Sequence, residues 1–226
     1  LIFRPTSNLP RMQPYQTTFL DLALKAEVLK FGRFTLKSGR ISPYFFNLGK
    51  ISSGASLRAL GRAYAEALMA HGIEFDLLFG PAYKGIPLAA AVSIAHAELT
   101  GRDVPFAYNR KEAKDHGEGG VLVGAPVAGQ RVVVVDDVLT AGTALRESHQ
   151  LLVASGAVPV LAITALDRQE VGANGRSAVA ELVEKTGLPV ISLVTVQDLL
   201  RYLHDKGGLA DVVSAIADYQ QRYGVA

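Results

Sequence analysis

The sequence predicts an α/β fold, a mostly parallel central sheet with helices on both faces, and three observations carry that expectation. Short apolar runs alternate with segments of helical periodicity along nearly the whole chain. Residues 132–135 are four consecutive valines, the unbroken apolar pattern of a strand covered on both sides. The composition is 49% hydrophobic and 19% charged over 226 residues, with no repeat or low-complexity linker, which suits one compact domain with a large core.

Leu1–Arg11 has no periodicity and contains two prolines. It reads as a non-native or disordered extension, leaving 12–226 as a single domain that opens at Met12. Thr17 or Thr18 is expected to cap a helix running to about Lys30 and stopped by Gly32. Phe34–Leu36 and Tyr44–Leu48 read as strands around the turn Lys37-Ser38-Gly39-Arg40. A helix follows from Ser53 or Ser56 to Ala70, then a strand over Asp76–Phe79, the loop Gly80–Gly85 and a helix over Ile86–Leu99. Val104–Tyr108 is a strand and Asn109–Gly120 a polar stretch. The valine strand leads through a small-residue loop into a helix from about Leu145 to Ser155. Val158–Leu166 and Val190–Val194 are strands flanking a helix over Ala178–Lys185. Two helices, about Val196–Asp205 and Ala210–Tyr223, complete the pattern.

The most informative segment is 132–144. Adjacent carboxylates, Asp136 and Asp137, stand at the carboxyl end of the valine strand, followed by Val138, Leu139, Thr140, Ala141, Gly142, Thr143 and Ala144. Open α/β sheets bind ligands at such strand ends. A loop of unencumbered N–H groups entering a helix N-terminus is a ready anion site. Carboxylates beside a phosphate cradle call for a ligand that also offers hydroxyls or a metal, and a sugar phosphate meets both demands. Asp137 serving only as a turn or capping residue is the plainer alternative. A P-loop NTPase would need a glycine-rich loop ending in Gly-Lys-Ser/Thr, which is absent, and a phosphoacceptor domain would carry its acids near the start.

Other segments add cations at strand ends. Gly80-Pro81-Ala82-Tyr83-Lys84-Gly85-Ile86-Pro87 offers glycines, N–H groups and a lysine suited to a diphosphate, although Gly-Pro is also ordinary turn punctuation. Asn109–Gly120 holds Arg110, Lys111, Lys114 and His116 among glycines and lacks apolar anchors, the composition of a mobile lid or of a solvated hairpin. Its three strong cations are matched by Glu112, Asp115 and Glu118, which argues against a nucleic-acid arm. Phe45 and Phe46, adjacent in a strand, point to opposite faces, so one belongs to the core. Asp167-Arg168 places a guanidinium at the end of the long strand, able to form a surface pair or to grip a carboxylate.

Composition excludes other classes. Net charge is +2, so there is no basic excess on the scale of nucleic-acid binding, and without cysteine there is no disulfide, thiolate nucleophile or thiolate metal site. The longest nearly uncharged apolar run, Gly85–Ala95, is too short to span a bilayer. A cytoplasmic protein without membrane contact is expected.

Taken in order, Phe34-Thr35-Leu36-Lys37-Ser38-Gly39-Arg40, Ser42-Pro43-Tyr44-Phe45-Phe46-Asn47, Gly80–Pro87, Tyr108–Gly119 and the Asp136–Ala144 signature closely resemble the orotate phosphoribosyltransferases, type I phosphoribosyltransferases. The resemblance runs from about Met12 onward. It implies that fold, with a small amino-terminal hood over the sheet. It also implies transfer of the 5-phosphoribosyl group from 5-phosphoribosyl 1-diphosphate to orotate, with Mg2+ held mainly through substrate and no direct protein ligand. Position by position, Asp136 and Asp137 would meet the ribose hydroxyls, Thr140–Ala144 would hold the 5′-phosphate, and Val138 and Leu139 between them would also line the substrate. Tyr83 and Lys84 would sit at the diphosphate. Arg110, Lys111, Lys114 and His116 would form a lid closing over the partner site of a homodimer, with Lys111 the most rate-critical. Lys37, Phe45, Phe46, Thr140 and Arg168 would surround orotate and the phosphoribosyl group. A purine-specific relative would share the signature, but only orotate brings a carboxylate for Arg168. A catalytically silent sensor of phosphoribosyl diphosphate has less need of the lid cations.

Overall fold

A computed structural model of the protein describes residues 11–36, 38–114, 120–139, 142–172 and 174–225, with backbone alone at 112–114 and 120. In chain order the elements are α1 (Pro14–Lys25), β1 (Leu29–Thr35), β2 (Ile41–Phe46), α2 (Gly54–Ala70), β3 (Leu77–Gly80), α3 (Gly85–Thr100), β4 (Phe106–Lys114) and β5 (Gly120–Gly124). They continue with β6 (Arg131–Val135), α4 (Thr143–Ala154), β7 (Val158–Asp167), α5 (Ala178–Thr186), β8 (Val190–Thr195), α6 (Val196–Lys206) and α7 (Ala210–Tyr223). The central sheet has the order β5-β4-β3-β6-β7-β8 and is parallel except for the β4–β5 pair. β1 and β2 form a separate antiparallel hairpin, the hood.

The valine run is explained by its position. Val133 and Val135 pack with α1, α2, α3, α6 and α7 on one face, while Val132 and Val134 pack with Leu145 and Leu152 of α4 and Leu182 of α5 on the other. Leu78 and its neighbours Leu77 and Phe79 divide in the same way. Every second residue of a strand faces one side, so a strand covered twice has no polar position to spare. On the larger face α2 and α3 approach backbone to backbone at Gly61, where a Cβ would stand 2.6 Å from the carbonyl oxygen of Ala91. Among the described residues no helix is long and apolar enough to cross a membrane.

Two stretches depart most from the sequence reading, while the hood strands run Leu29–Thr35 and Ile41–Phe46 instead of Phe34–Leu36 and Tyr44–Leu48. The first helix starts at Pro14, not at a threonine cap. Gln16 Oε1 accepts the Gln13 N–H at 2.9 Å, and proline at the first helical position gives up an N–H that had no partner there. The helix ends at Lys25 because Leu29–Thr35 pairs with β2, so Gly32 lies inside a strand and stops nothing. The polar stretch after Tyr108 is the other correction: β4 runs on to Lys114 and pairs back on β5, because Leu122, Val123 and Gly124 supply a partner edge.

The chain leaves β3 toward β4 on one side and returns as β6 on the other. Strand order therefore reverses between β3 and β6, and such a switch opens a crevice at the carboxyl ends of the two strands. The loop 80–85 and the loop after Val135 are the walls of that crevice.

Candidate active site

Asp136 and Asp137 emerge from β6 still hydrogen-bonded as strand: the Asp136 N–H donates to Ile163 at 3.0 Å, and Asp137 accepts from the Ala165 N–H at 2.8 Å. Both side chains are buried. Asp136 Oδ1 accepts the Asp137 N–H at 2.9 Å, and Asp137 Oδ1 accepts the Val138 N–H at 2.8 Å. Burial, then the neighbouring Asp137 charge, push the Asp136 carboxyl up to about 6, against the pull of that N–H and of Lys84. Tyr64, wholly buried in α2, donates its hydroxyl to the Asp136 carbonyl at 2.8 Å and fixes the turn from beneath.

The facing loop supplies the cation. Lys84 Nζ lies 2.5 Å from Asp137 Oδ2 with its side chain 57% exposed, so the ammonium sits at the rim of the crevice, open to a ligand. The loop is compressed: a Cβ on Gly80 would stand 2.1 Å from the Gly85 carbonyl oxygen, and one on Gly85 would meet Pro81 and the Val135 carbonyl. Only glycine permits that backbone approach. Asn109 Oδ1 accepts the Ala82 N–H at 2.9 Å, tying the loop to β4. The peptide between Ala82 and Tyr83 is cis. Tyr83 is exposed, and Lys111 Nζ lies over its ring at 4.8 Å from the centroid, a cation–π contact between the β4–β5 ribbon and this loop. A small cavity of about 110 Å³ lies alongside, lined by Leu48, Leu60, Pro87, Lys84 and Asp137 among others.

The anion loop meets α4 through Gly142, which caps the helix at φ +70°, and Arg146 Nη2 donates to Thr143 Oγ1 at 3.1 Å. Across the sheet, Arg168 follows β7 and reaches the hood. Its Nη2 is 3.1 Å from Ser42 Oγ, and its guanidinium lies 4.2 Å from the centroid of the Tyr44 ring. Phe46 is half-buried and packs toward Phe19, whereas Phe45 is exposed beside Phe34, the division that strand alternation requires.

The structure thus gathers Asp136, Asp137, Val138, Tyr83, Lys84 and Lys111 around one crevice, with Arg110 beside Lys111 on β4. Phe45, Phe46 and Arg168 belong to the hood side. Lys37, His116, Thr140 and Ala141 lie outside the described residues, and Lys114 is described by its backbone alone. Sequence reasoning missed Tyr64, Asn109, Arg146 and Ser42. Tyr64 carries no local signal, being one aromatic on an apolar helix face. Asn109, inside a quoted motif, was visible but had no assigned partner.

A family model for the phosphoribosyl transferase domain matches residues 50–190, and the chain belongs to that family. The curated relatives refine the class. Orotate phosphoribosyltransferase of Saccharophagus degradans is 55% identical over 214 residues, covering 95% of this chain and all of the relative. That of Cronobacter sakazakii is 55% identical over the same shares. A crystal structure of orotate phosphoribosyltransferase from Francisella tularensis superposes with a TM-score of 0.82 at 40% identity, over 91% of this chain and 98% of that one. Within the family, this chain is one of the orotate phosphoribosyltransferases.

Proposed function

We propose that this protein transfers the 5-phosphoribosyl group from 5-phosphoribosyl 1-diphosphate to orotate, giving orotidine 5′-monophosphate and diphosphate in pyrimidine biosynthesis. One observation carries the reading: 55% identity to named orotate phosphoribosyltransferases extends over 95% of the chain. It therefore includes the hood and the β4–β5 ribbon, and is not confined to the phosphate-binding signature that purine-specific relatives share.

The chemistry follows from the crevice. Breaking the bond from C1′ to diphosphate leaves an electron-poor, oxocarbenium-like sugar and a highly charged leaving group. Asp136 and Asp137, held by N–H bonds in a water-poor turn, face the ribose hydroxyls and stabilise the cationic sugar. The N–H groups of Thr140–Ala144, at the start of α4, hold the 5′-phosphate. Tyr83 and Lys84 take the diphosphate, and the Lys84 ammonium exchanges its contact with Asp137 for phosphate oxygens. Arg110, Lys111, Lys114 and His116 close over the site from the partner of a homodimer, adding positive charge and excluding water that would capture the activated sugar. Lys37, Phe45, Phe46, Thr140 and Arg168 enclose orotate, with Arg168 against its carboxylate. No side-chain nucleophile is needed.

Among the described residues there is no cluster of three or more carboxylates and imidazoles able to hold a metal. Two carboxylates beside a diphosphate site fit Mg2+, which keeps several waters and takes phosphate oxygens with one or two carboxylates. Bound mainly through the diphosphate, with Asp136 and Asp137 the carboxylates beside it, Mg2+ would supply positive charge to the leaving group. The test is ultraviolet loss of orotate on mixing protein, Mg2+ and phosphoribosyl diphosphate. Mg2+-dependent loss with orotidine monophosphate as product supports the reading. Persistence of orotate alongside consumption of hypoxanthine or adenine overturns it.

A further inference from the structure

Arg168 is held from one side by a single acid. Glu170 Oε1 lies 2.7 Å from Arg168 Nε and 2.6 Å from Nη2, while Ser42 Oγ takes Nη2 at 3.1 Å and itself donates to the Tyr44 carbonyl at 2.7 Å. No carboxylate engages Nη1 among the described residues, while the Tyr219 hydroxyl stands within reach of both Arg168 and Glu170. The other Glu170 oxygen is 3.5 Å from Arg40 Nη1, and Arg40 donates to the Val171 carbonyl at 2.9 Å with its guanidinium over the Tyr223 ring. Two guanidinium groups thus share one carboxylate in a place where all three side chains are at most a quarter exposed. Glu170 alone cannot match both guanidinium groups, and Asp167, the other acid whose charge reaches Tyr44, accepts the Gln169 N–H at 2.8 Å; a buried guanidinium calls for a counter-ion.

The backbone of this segment is also secured. Gln220 Nε2 donates to the Arg168 carbonyl at 3.1 Å, the Val171 N–H to Tyr223 at 2.7 Å and the Val225 N–H to Gln169 at 2.8 Å. Gln169 sits at φ +49°, a conformation a side chain rarely adopts. Tyr44 Oη and Gln169 Oε1, each buried without a hydrogen-bond partner among the described residues, lie on residues at this cluster, and the Tyr219 hydroxyl is shared between Arg168 and Glu170. Unpaired buried polar groups are costly, and their concentration beside one guanidinium marks a site where polarity serves a ligand.

We propose that Glu170 is a positioning residue that sets base specificity: by occupying the Nε–Nη2 edge of Arg168, with Ser42, it fixes the guanidinium plane and leaves Nη1, which no carboxylate engages, for the carboxylate of the incoming base. This rests on the reading that Arg168 meets that carboxylate. An unanchored arginine at the same position would still be charged, but it would spend the binding of each substrate on ordering its own side chain.

The experiment is steady-state kinetics of the full chain carrying Glu170→Gln, Glu170→Asp or Arg168→Ala, with orotate and with uracil, which lacks the carboxylate. For Glu170→Gln the orotate KM rises about 10-fold or more, the phosphoribosyl diphosphate KM stays within about 2-fold, and the preference for orotate over uracil falls accordingly. Glu170→Asp, which keeps the charge beside Arg40, gives a smaller rise in the same direction and carries the test if the glutamine variant does not fold. If Arg168→Ala raises the orotate KM and neither Glu170 variant does, the inference is overturned while the role of Arg168 stands. If Arg168→Ala leaves the orotate KM unchanged, the reading of Arg168 itself is wrong. Equal rises in both KM values would make Glu170 a structural residue only.

Discussion

Replacing Asp136 by asparagine should disable the enzyme and stabilise it at neutral pH. Burial and the adjacent Asp137 raise the Asp136 carboxyl from 3.8 to about 6, so the native state binds this proton more tightly than the unfolded chain does. The sign follows. The contribution of this group favours the fold below about 4, declines as pH rises through the window between 3.8 and about 6, and is fully adverse above it. At about 1.4 kcal/mol per pH unit, ionised Asp136 costs the fold about 3 kcal/mol. Asparagine keeps the oxygen that accepts the Asp137 N–H but adds an amide donor in a buried turn, which reduces the gain to about 1–3 kcal/mol. In a chain of this length that corresponds to about 2–4 °C in Tm per kcal/mol. Thermal unfolding of both proteins at pH 7.5, 6.0 and 4.5 is the assay. The variant should melt higher at pH 7.5, and the gap should fall by more than half by pH 4.5. A variant that melts lower at pH 7.5, or a gap independent of pH, would refute the argument that buried charge at this position is maintained at the expense of stability.

Gly80→Ala places a methyl 2.1 Å from the Gly85 carbonyl oxygen. It should cost about 1–3 kcal/mol in denaturant unfolding and raise the phosphoribosyl diphosphate KM, with the orotate KM little changed. Tyr64→Phe removes one buried donor from the Asp136 carbonyl and should lower stability by about 1–2 kcal/mol by urea unfolding. Lys111→Ala should lower kcat by about 100-fold or more while moving either KM far less, because its charge is needed as the leaving group departs; an unchanged kcat would remove it from that role. Mixing Lys111→Ala subunits with Asp137→Asn subunits should restore activity if the ribbon of one protomer serves the site of its partner, and an inactive mixture shown to exchange subunits would refute that arrangement.

Much of the architecture was legible because the strands are so uniformly apolar. A run such as Val132–Val135 has one plausible setting, and the acids at its end mark the sheet edge where chemistry occurs. The misread boundaries share a cause. Whether Val28–Lys30 closes a helix or opens a strand depends on Phe45–Asn47, 15 or more residues downstream, and no local pattern states that partnership. The same holds for Asn109–Lys114, polar enough to read as a loop until β5 lies beside it. At the site, carboxylates, glycines and lysine announced themselves by type and order. Their supports did not. Tyr64 meets Asp136 across 72 positions of sequence, and Ser42 meets Arg168 across 126. Contacts at such separations are products of the fold, so the chemistry was readable and its scaffolding was not.

β4 has a double membership with a mechanical consequence. Phe106–Tyr108 are bonded to β3 and Ala107–Asn109 to β5, while the residues beyond Asn109 project past the sheet as one arm of a ribbon. Asn109, where the regular register stops, also grips the Ala82 N–H. The ribbon is therefore a lever whose long arm carries Arg110 and Lys111 and whose short arm is anchored in the loop 80–85. Two contacts, the Asn109–Ala82 hydrogen bond and Lys111 over the Tyr83 ring, join the ribbon to the backbone beside Lys84 within one protomer. In the proposed dimer, a ribbon that serves the partner's site is thus tied at its base to the diphosphate loop of its own.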